Sequence, residues 1–153
     1  MRKLLLVLSI LSLLLSFSTT AVADLVLDNG KPTGQWWNPQ RGGEGFFVEI
    51  IKGGPNQISV AMYSFDENGE QLWVVGNRPI DFDDTVVQVE VFQYNGPKWG
   101  PDFDPADLNT IPFGTITVRF PTCDTALFAV QTDVGLQNGN YSLVRLTEIV
   151  VTG

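Results

Sequence analysis

The sequence predicts an all-β fold, an antiparallel meander closing into a small β-barrel, with a two-sheet β-sandwich as the alternative. Three observations predict it. Short runs rich in Val, Ile, Phe, Thr and Trp recur, separated by Gly, Asn, Asp and Pro. Within those runs apolar and polar residues alternate with a period of two, as in half-buried strands. No long segment beyond residue 23 carries a helical period. Barrel and sandwich both bury the inward faces and limit exposed edges.

Residues 1–23 stand apart from this pattern and read as a signal peptide. Arg2 and Lys3 form a basic start, and Leu4 to Phe17 is apolar apart from Ser9, Ser12 and Ser16. Ala21-Val22-Ala23 then supplies a small-residue cleavage site. A helix that stays in a membrane needs about 20 apolar residues, and this run is shorter. The expectation is cleavage after Ala23 and export to the periplasm or the extracellular space, with residues 24–153 as one domain. No transmembrane segment is expected after cleavage.

The strands follow in order. Gly45 to Lys52 puts Phe46, Val48 and Ile50 on one face, and Gly53-Gly54-Pro55-Asn56 turns the chain. Gln57 to Phe65 alternates Ile58, Val60 and Met62 with polar or small residues. Asn68-Gly69, a pair that tolerates positive φ, makes a hairpin with Gln71 to Val75. Thr85 to Tyr94 carries Val87, Val89 and Val91 on one face. Thr115 to Phe120, Thr125 to Gln131 and Tyr141 to Val151 complete the set. Between them, Asn95 to Pro112 is rich in Gly, Pro and Asp and reads as a long excursion, a feature often tied to function. One helical turn is expected at Asp104-Pro105-Ala106-Asp107, capped by Asp and started by Pro. Trp99 and Phe103 within the excursion are expected to plug one end of the core.

Charge and absent residue types narrow the function. The first 23 residues hold two of the nine bases and none of the 17 acids, so the remaining chain carries a formal charge of −10. Phosphate backbones are recognised through Lys and Arg, so nucleic acid is excluded as an expected partner. With no His, nucleophile systems built on His and His-based zinc sites are excluded too. Cys123 is the one cysteine and can form no internal disulfide. It reads as a small buried apolar residue.

Gly34-Gln35-Trp36-Trp37-Asn38-Pro39-Gln40-Arg41-Gly42-Gly43-Glu44-Gly45-Phe46 resembles the opening signature of a family of exported bacterial β-domains. That family shows Gly-x-Trp-Tyr/Trp-Asn-Pro followed by Gly-Glu-Gly-Phe. Phe65-Asp66-Glu67-Asn68-Gly69-Glu70-Gln71-Leu72-Trp73 is similar to its next block. Phe120-Pro121-Thr122-Cys123 and Leu143-Val144-Arg145-Leu146-Thr147 sit in the family's order. The resemblance covers about Gly34 to Ile149 and implies location and architecture rather than an activity. Relatives carry a second Cys beyond the Arg-Leu-Thr run, where this sequence has Val150-Val151-Thr152-Gly153, so no bridge from Cys123 is expected there. Gly34-Gln35-Trp36 is also similar to the Gly-x-Trp start of lipocalin and avidin barrels, from which no ligand residues are carried over.

Candidate ligand-binding residues are Trp36, Trp37, Asn38, Arg41, Glu44, Trp73 and Trp99. Adjacent Trp36 and Trp37 on a strand face opposite ways, so one enters the core and the other stays outside or on a rim. An exposed Trp offers an apolar platform to a sugar ring, a peptide or a hydrophobic ligand; the competing reading has the tryptophans close the barrel ends. Arg41 and Glu44 sit among glycines that let backbone approach a ligand, or else Glu44 pairs with Arg145 or Arg119 to pin the loop. Asp102, Asp104 and Asp107 have the oxygens calcium prefers, without the spacing of a helix-loop-helix site. No other cofactor is expected. The function expected is a non-catalytic binding or interaction module for a small molecule, glycan or protein. One alternative is a hydrolase whose carboxylate pair is Glu44 with Asp66 or Glu70, which needs the two groups about 5–10 Å apart. The other is a structural, envelope-associated domain.

Overall fold

The computed structural model describes residues 24, 27, 31–136 and 138–147. The signal-peptide expectation lies outside the described residues, as does the reading of residues 148–151 as strand. Eight antiparallel strands follow one another round a closed barrel: β1 (Gly34–Trp37), β2 (Gly45–Ile51), β3 (Gln57–Phe65), β4 (Gln71–Pro79), β5 (Val86–Asn95), β6 (Asn109–Arg119), β7 (Thr125–Thr132) and β8 (Gly139–Arg145). Every strand pairs with its sequence neighbour, and β8 returns to β1 through Trp36↔Arg145 and Trp37↔Val144. The barrel is thus chosen over the sandwich, because closure leaves no sheet edge.

Two-residue alternation does what it predicted. Phe46, Val48 and Ile50 of β2, Ile58, Val60 and Met62 of β3, and Val87, Val89 and Val91 of β5 all point inward and are buried. Aromatic rings run up the interior in edge contacts. Trp36 meets Phe120 at 5.1 Å, Phe120 meets Phe128 at 5.6 Å, Phe128 meets Phe46 at 4.9 Å, and Phe46 meets Tyr141 at 5.1 Å. Such rings bury large areas, and tilted or T-shaped pairs add further attraction. Outward positions include Glu49, Gln88, Glu90, Thr117 and Arg119. The outer wall mixes these with exposed apolar side chains, among them Phe47, Trp73, Val75, Leu127 and Val144. Among the described residues no helix is long and apolar enough to cross a membrane.

One end of the barrel is closed. Leu27, Ile80 and Phe120 are buried there, and Leu27 N–H donates to the Asp84 carbonyl. Arg145 lies 4.4 Å over the Trp36 ring and donates to the backbone carbonyls of Lys31, Thr33 and Cys123. Trp36 Nε1–H donates to the Pro32 carbonyl at 2.9 Å. At the opposite end, the loops 38–44, 66–70 and 96–108 and residues 133–136 and 138 surround the barrel mouth.

Three sequence expectations change. Strand β6 begins at Asn109, so part of the expected excursion is paired: Asn95↔Asn109, Tyr94↔Thr110 and Gln93↔Ile111. Pro112 and Asn109 disguise this stretch, since both are depleted in strands. A register shift at Val91/Phe92 gives Pro112 the irregular place it needs. Trp99 is 100% exposed and Phe103 59% exposed, so neither plugs the core. The interior is filled from the strands instead. Cys123 is exposed rather than buried, because it sits in the tight β6–β7 turn beyond the last inward position.

Candidate functional site

The open mouth holds a cavity of about 480 Å³. Its floor is made by inward-facing apolar side chains, Met62, Leu72, Phe113 and Val130, at the mouth ends of β3, β4, β6 and β7. Above them come polar groups at the same inward parity: Ser64, Thr132 and Tyr141. Arg41, Asp66 and Glu67 line it from the loops. An apolar floor with a few placed polar groups is the usual composition of a small-molecule site.

Glu44 anchors one side of this mouth. It precedes Gly45 and shares the inward parity of Phe46, so its carboxylate enters the barrel and is only 8% exposed. Burying a carboxylate costs several kcal/mol unless it is paired. Here Ser64 Oγ–H donates to Oε2 at 3.0 Å and Arg41 Nη2–H donates to the same oxygen at 3.1 Å. Arg41 Nε makes the ion-pair contact with Oε1, which has no further donor among the described residues. The partner is therefore Arg41 and not Arg145 or Arg119. The loop explains why. Asn38 Oδ1 accepts from Gln40 N–H, and the Asn38 carbonyl accepts from Arg41 N–H, so the chain turns at once and brings Arg41 back over Glu44. Gly43, at φ +89°, completes the turn, and the Phe65 ring covers it closely enough that a Cβ would meet Cζ at 3.0 Å.

Tyr141 joins the same cluster. The Arg41 guanidinium lies 5.7 Å from its ring centre. Burial raises the phenol above its ordinary range; the Glu44 charge adds to the rise and Arg41 opposes it. The phenol is thus a neutral hydrogen-bond donor and acceptor at neutral pH. Asp66 is committed to its own hairpin. Its Oδ1 accepts from Glu70 N–H at 2.9 Å and Asn68 N–H at 2.8 Å, and the Glu70 bond is the main reason its carboxyl lies below the ordinary range.

The other sequence candidates disperse. Trp36 is fully buried at the closed end and presents no surface to a ligand. Trp37 faces outward, half-buried, on β1. Asn38 shapes the loop. Trp73 is 53% exposed on the outer wall, beside Phe47 and Tyr63. Trp99 projects from the β5–β6 loop. Asp104 caps the 3-10 turn Pro105–Asp107 by accepting from Ala106 N–H, as the sequence suggested, while Asp102 and Asp107 are exposed. Among the described residues no three acidic or cysteine side chains converge on a metal position. Of the ligand-binding candidates Arg41 alone lines the mouth cavity, and Glu44 holds it there through their ion pair. Sequence reasoning missed Ser64, Thr132 and Tyr141. The signal was present: each is a polar or amphipathic residue at inward parity, one step beyond the last apolar residue of its strand. Compared with protein-family models, curated proteins and solved structures, the chain finds no match.

Proposed function

We propose that the protein is an exported, non-catalytic module that binds a small amphipathic molecule in the barrel mouth. The observation that carries this reading is the open cavity of about 480 Å³, with an apolar floor and a polar rim built on strand ends. Strand ends hold their side chains in fixed positions, so the site needs little ordering when a ligand enters. The apolar floor suits a hydrocarbon or ring body. Tyr141 and the exposed face of Arg41 can donate to a carbonyl or hydroxyl head, while Ser64 and Thr132, whose hydroxyls already donate to Glu44 and the Leu136 carbonyl, can accept from a hydroxyl. Carboxylate chemistry is poorly served, since Glu44 is held by Arg41 and Ser64 and Asp66 by its own turn. The signal-like start and the resemblance of the Gly34–Phe46 block to exported β-domains support export.

Native mass spectrometry of residues 24–153, purified from an exporting host, tests the reading together with thermal melting against glycan, peptide and lipid panels. A ligand that prefers the folded state raises the midpoint. The expected result is a retained or added mass of a few hundred daltons that is lost in Leu72→Trp, which fills the cavity. A bare polypeptide mass with no midpoint shift across the panels sinks it.

A further inference from the structure

On the outer wall, away from the mouth cavity, three aromatic side chains gather where the alternation would place solvated residues. Phe47 of β2, Tyr63 of β3 and Trp73 of β4 form a triangle of rings. Their centres are 5.4, 6.4 and 5.5 Å apart, with Tyr63 and Phe47 tilted 30° and 16° from the Trp73 plane. Trp73 is directly opposite Tyr63 across β3–β4, and Tyr63 is directly opposite Gly45 across β2–β3. The glycine matters here. A Cβ at Gly45 would sit 2.8 Å from Tyr63 Cζ, so the absent side chain lets the Tyr63 ring recline across β2. Trp73 stacks on that reclined ring at 5.5 Å, and Trp73, 53% exposed, is the ring left open to solvent.

Beside the rings runs an outer-wall groove of about 470 Å³, shared by Phe47 with Gln35, Glu49 and Ser59. Among the described residues, none of these three polar side chains is hydrogen-bonded to another. No Lys or Arg lines the groove.

From this juxtaposition we infer that the outer wall of β2–β4 is a second binding site, for a neutral glycan. A pyranose presents an apolar C–H face and a ring of outward hydroxyls. The exposed Trp73 ring, with Phe47 16° from parallel beside it, suits the first, and the amide, carboxylate and hydroxyl of Gln35, Glu49 and Ser59 suit the second. Glu49 with no base beside it disfavours phosphorylated, sulfated or uronic sugars. A second copy of the chain is a poor occupant. Phe47 is 37%, Trp73 53%, Val75 37%, Ile51 41% and Phe65 47% exposed, so the whole apolar wall of β2–β4 offers roughly 400–500 Å², against about 800 Å² per partner in a stable interface. One or two sugar rings match the part of it that Phe47 and Trp73 make, and the ring spacing is on the scale of one hexose unit.

Titration of residues 24–153 with cellohexaose, chitohexaose and polygalacturonate, followed by Trp fluorescence and calorimetry, tests the inference. The expected result is saturable binding of at least one neutral oligosaccharide and none of polygalacturonate. Trp73→Ala should weaken that binding about tenfold, since one aromatic stack is worth about one decade. Phe47→Ser, at a second exposed position, should weaken it independently of any folding effect of the first. Glu49→Gln should weaken it less. Absence of binding to both neutral oligosaccharides overturns the inference. So does binding that survives Trp73→Ala and Phe47→Ser, or a self-association that Trp73→Ala abolishes.

Discussion

Replacing Arg145 should test how the barrel is closed. The β8–β1 seam is registered through only two residue pairs, whereas β3–β4 has nine. Arg145 compensates from the side: its guanidinium lies 4.4 Å over Trp36 and donates to three carbonyls of the segments that cap the closed end, at 2.7 Å for Thr33 and Cys123 and to Lys31 as well. A partly shielded cation–π contact contributes about 1 kcal/mol. Each charge-assisted bond is discounted to about 1 kcal/mol here because the side chain is only partly buried. Arg145→Ala should therefore cost about 3–4 kcal/mol, a large share of the 5–15 kcal/mol typical of a domain. Arg145→Lys should cost about half as much, since an ammonium keeps the charge but cannot fork to three acceptors. Urea unfolding of residues 24–153, followed by Trp fluorescence and far-ultraviolet circular dichroism, measures both. A loss under about 1 kcal/mol for Arg145→Ala at unchanged m-value refutes the reasoning, as does equal stability of the Lys and Arg proteins.

Tyr141 should ionise above the ordinary phenol range in ultraviolet difference titration. Glu44→Gln should bring its midpoint down and Arg41→Ala should push it up, following the signs of the two neighbouring charges; no change in either variant would mean that the three groups do not share the mouth. Asp66 supplies a pH test. Its folded pKa lies below the ordinary value of 3.8, so its contribution to stability is present above that value and disappears as pH falls through the folded pKa. Asp66→Ala should lower the thermal midpoint at pH 7, and the gap to the unmodified protein should narrow as pH falls below 3.8 and through the folded pKa; a gap that persists in strong acid would assign the effect to packing instead.

Most of the fold was legible because its signal is local. Phe46, Val48 and Ile50 declare an inward face within seven residues, and Asn68-Gly69 declares a hairpin within two. Where residue types argued against a strand, as at Asn109 and Pro112, the partner strand and a register shift overrode them. Cys123 was misjudged because burial depends on position relative to the barrel end, which composition does not encode. The candidate site was half legible. Arg41 and Glu44 stood out as charges among glycines, but Ser64, Thr132 and Tyr141 come from three other strands.

Amino-acid order alone settled the alternation, the turns, the absence of imidazole chemistry and the 3-10 turn capped by Asp104. Closure of the meander decided the rest. Only when β8 met β1 did Arg145 come over Trp36, and only then did the strand ends from four sides surround one cavity. Alternation states which way each side chain faces; which faces meet depends on strand tilt and register summed around the whole circumference. That sum put Trp73 with Phe47 and Tyr63 on the wall and left Trp99 standing alone.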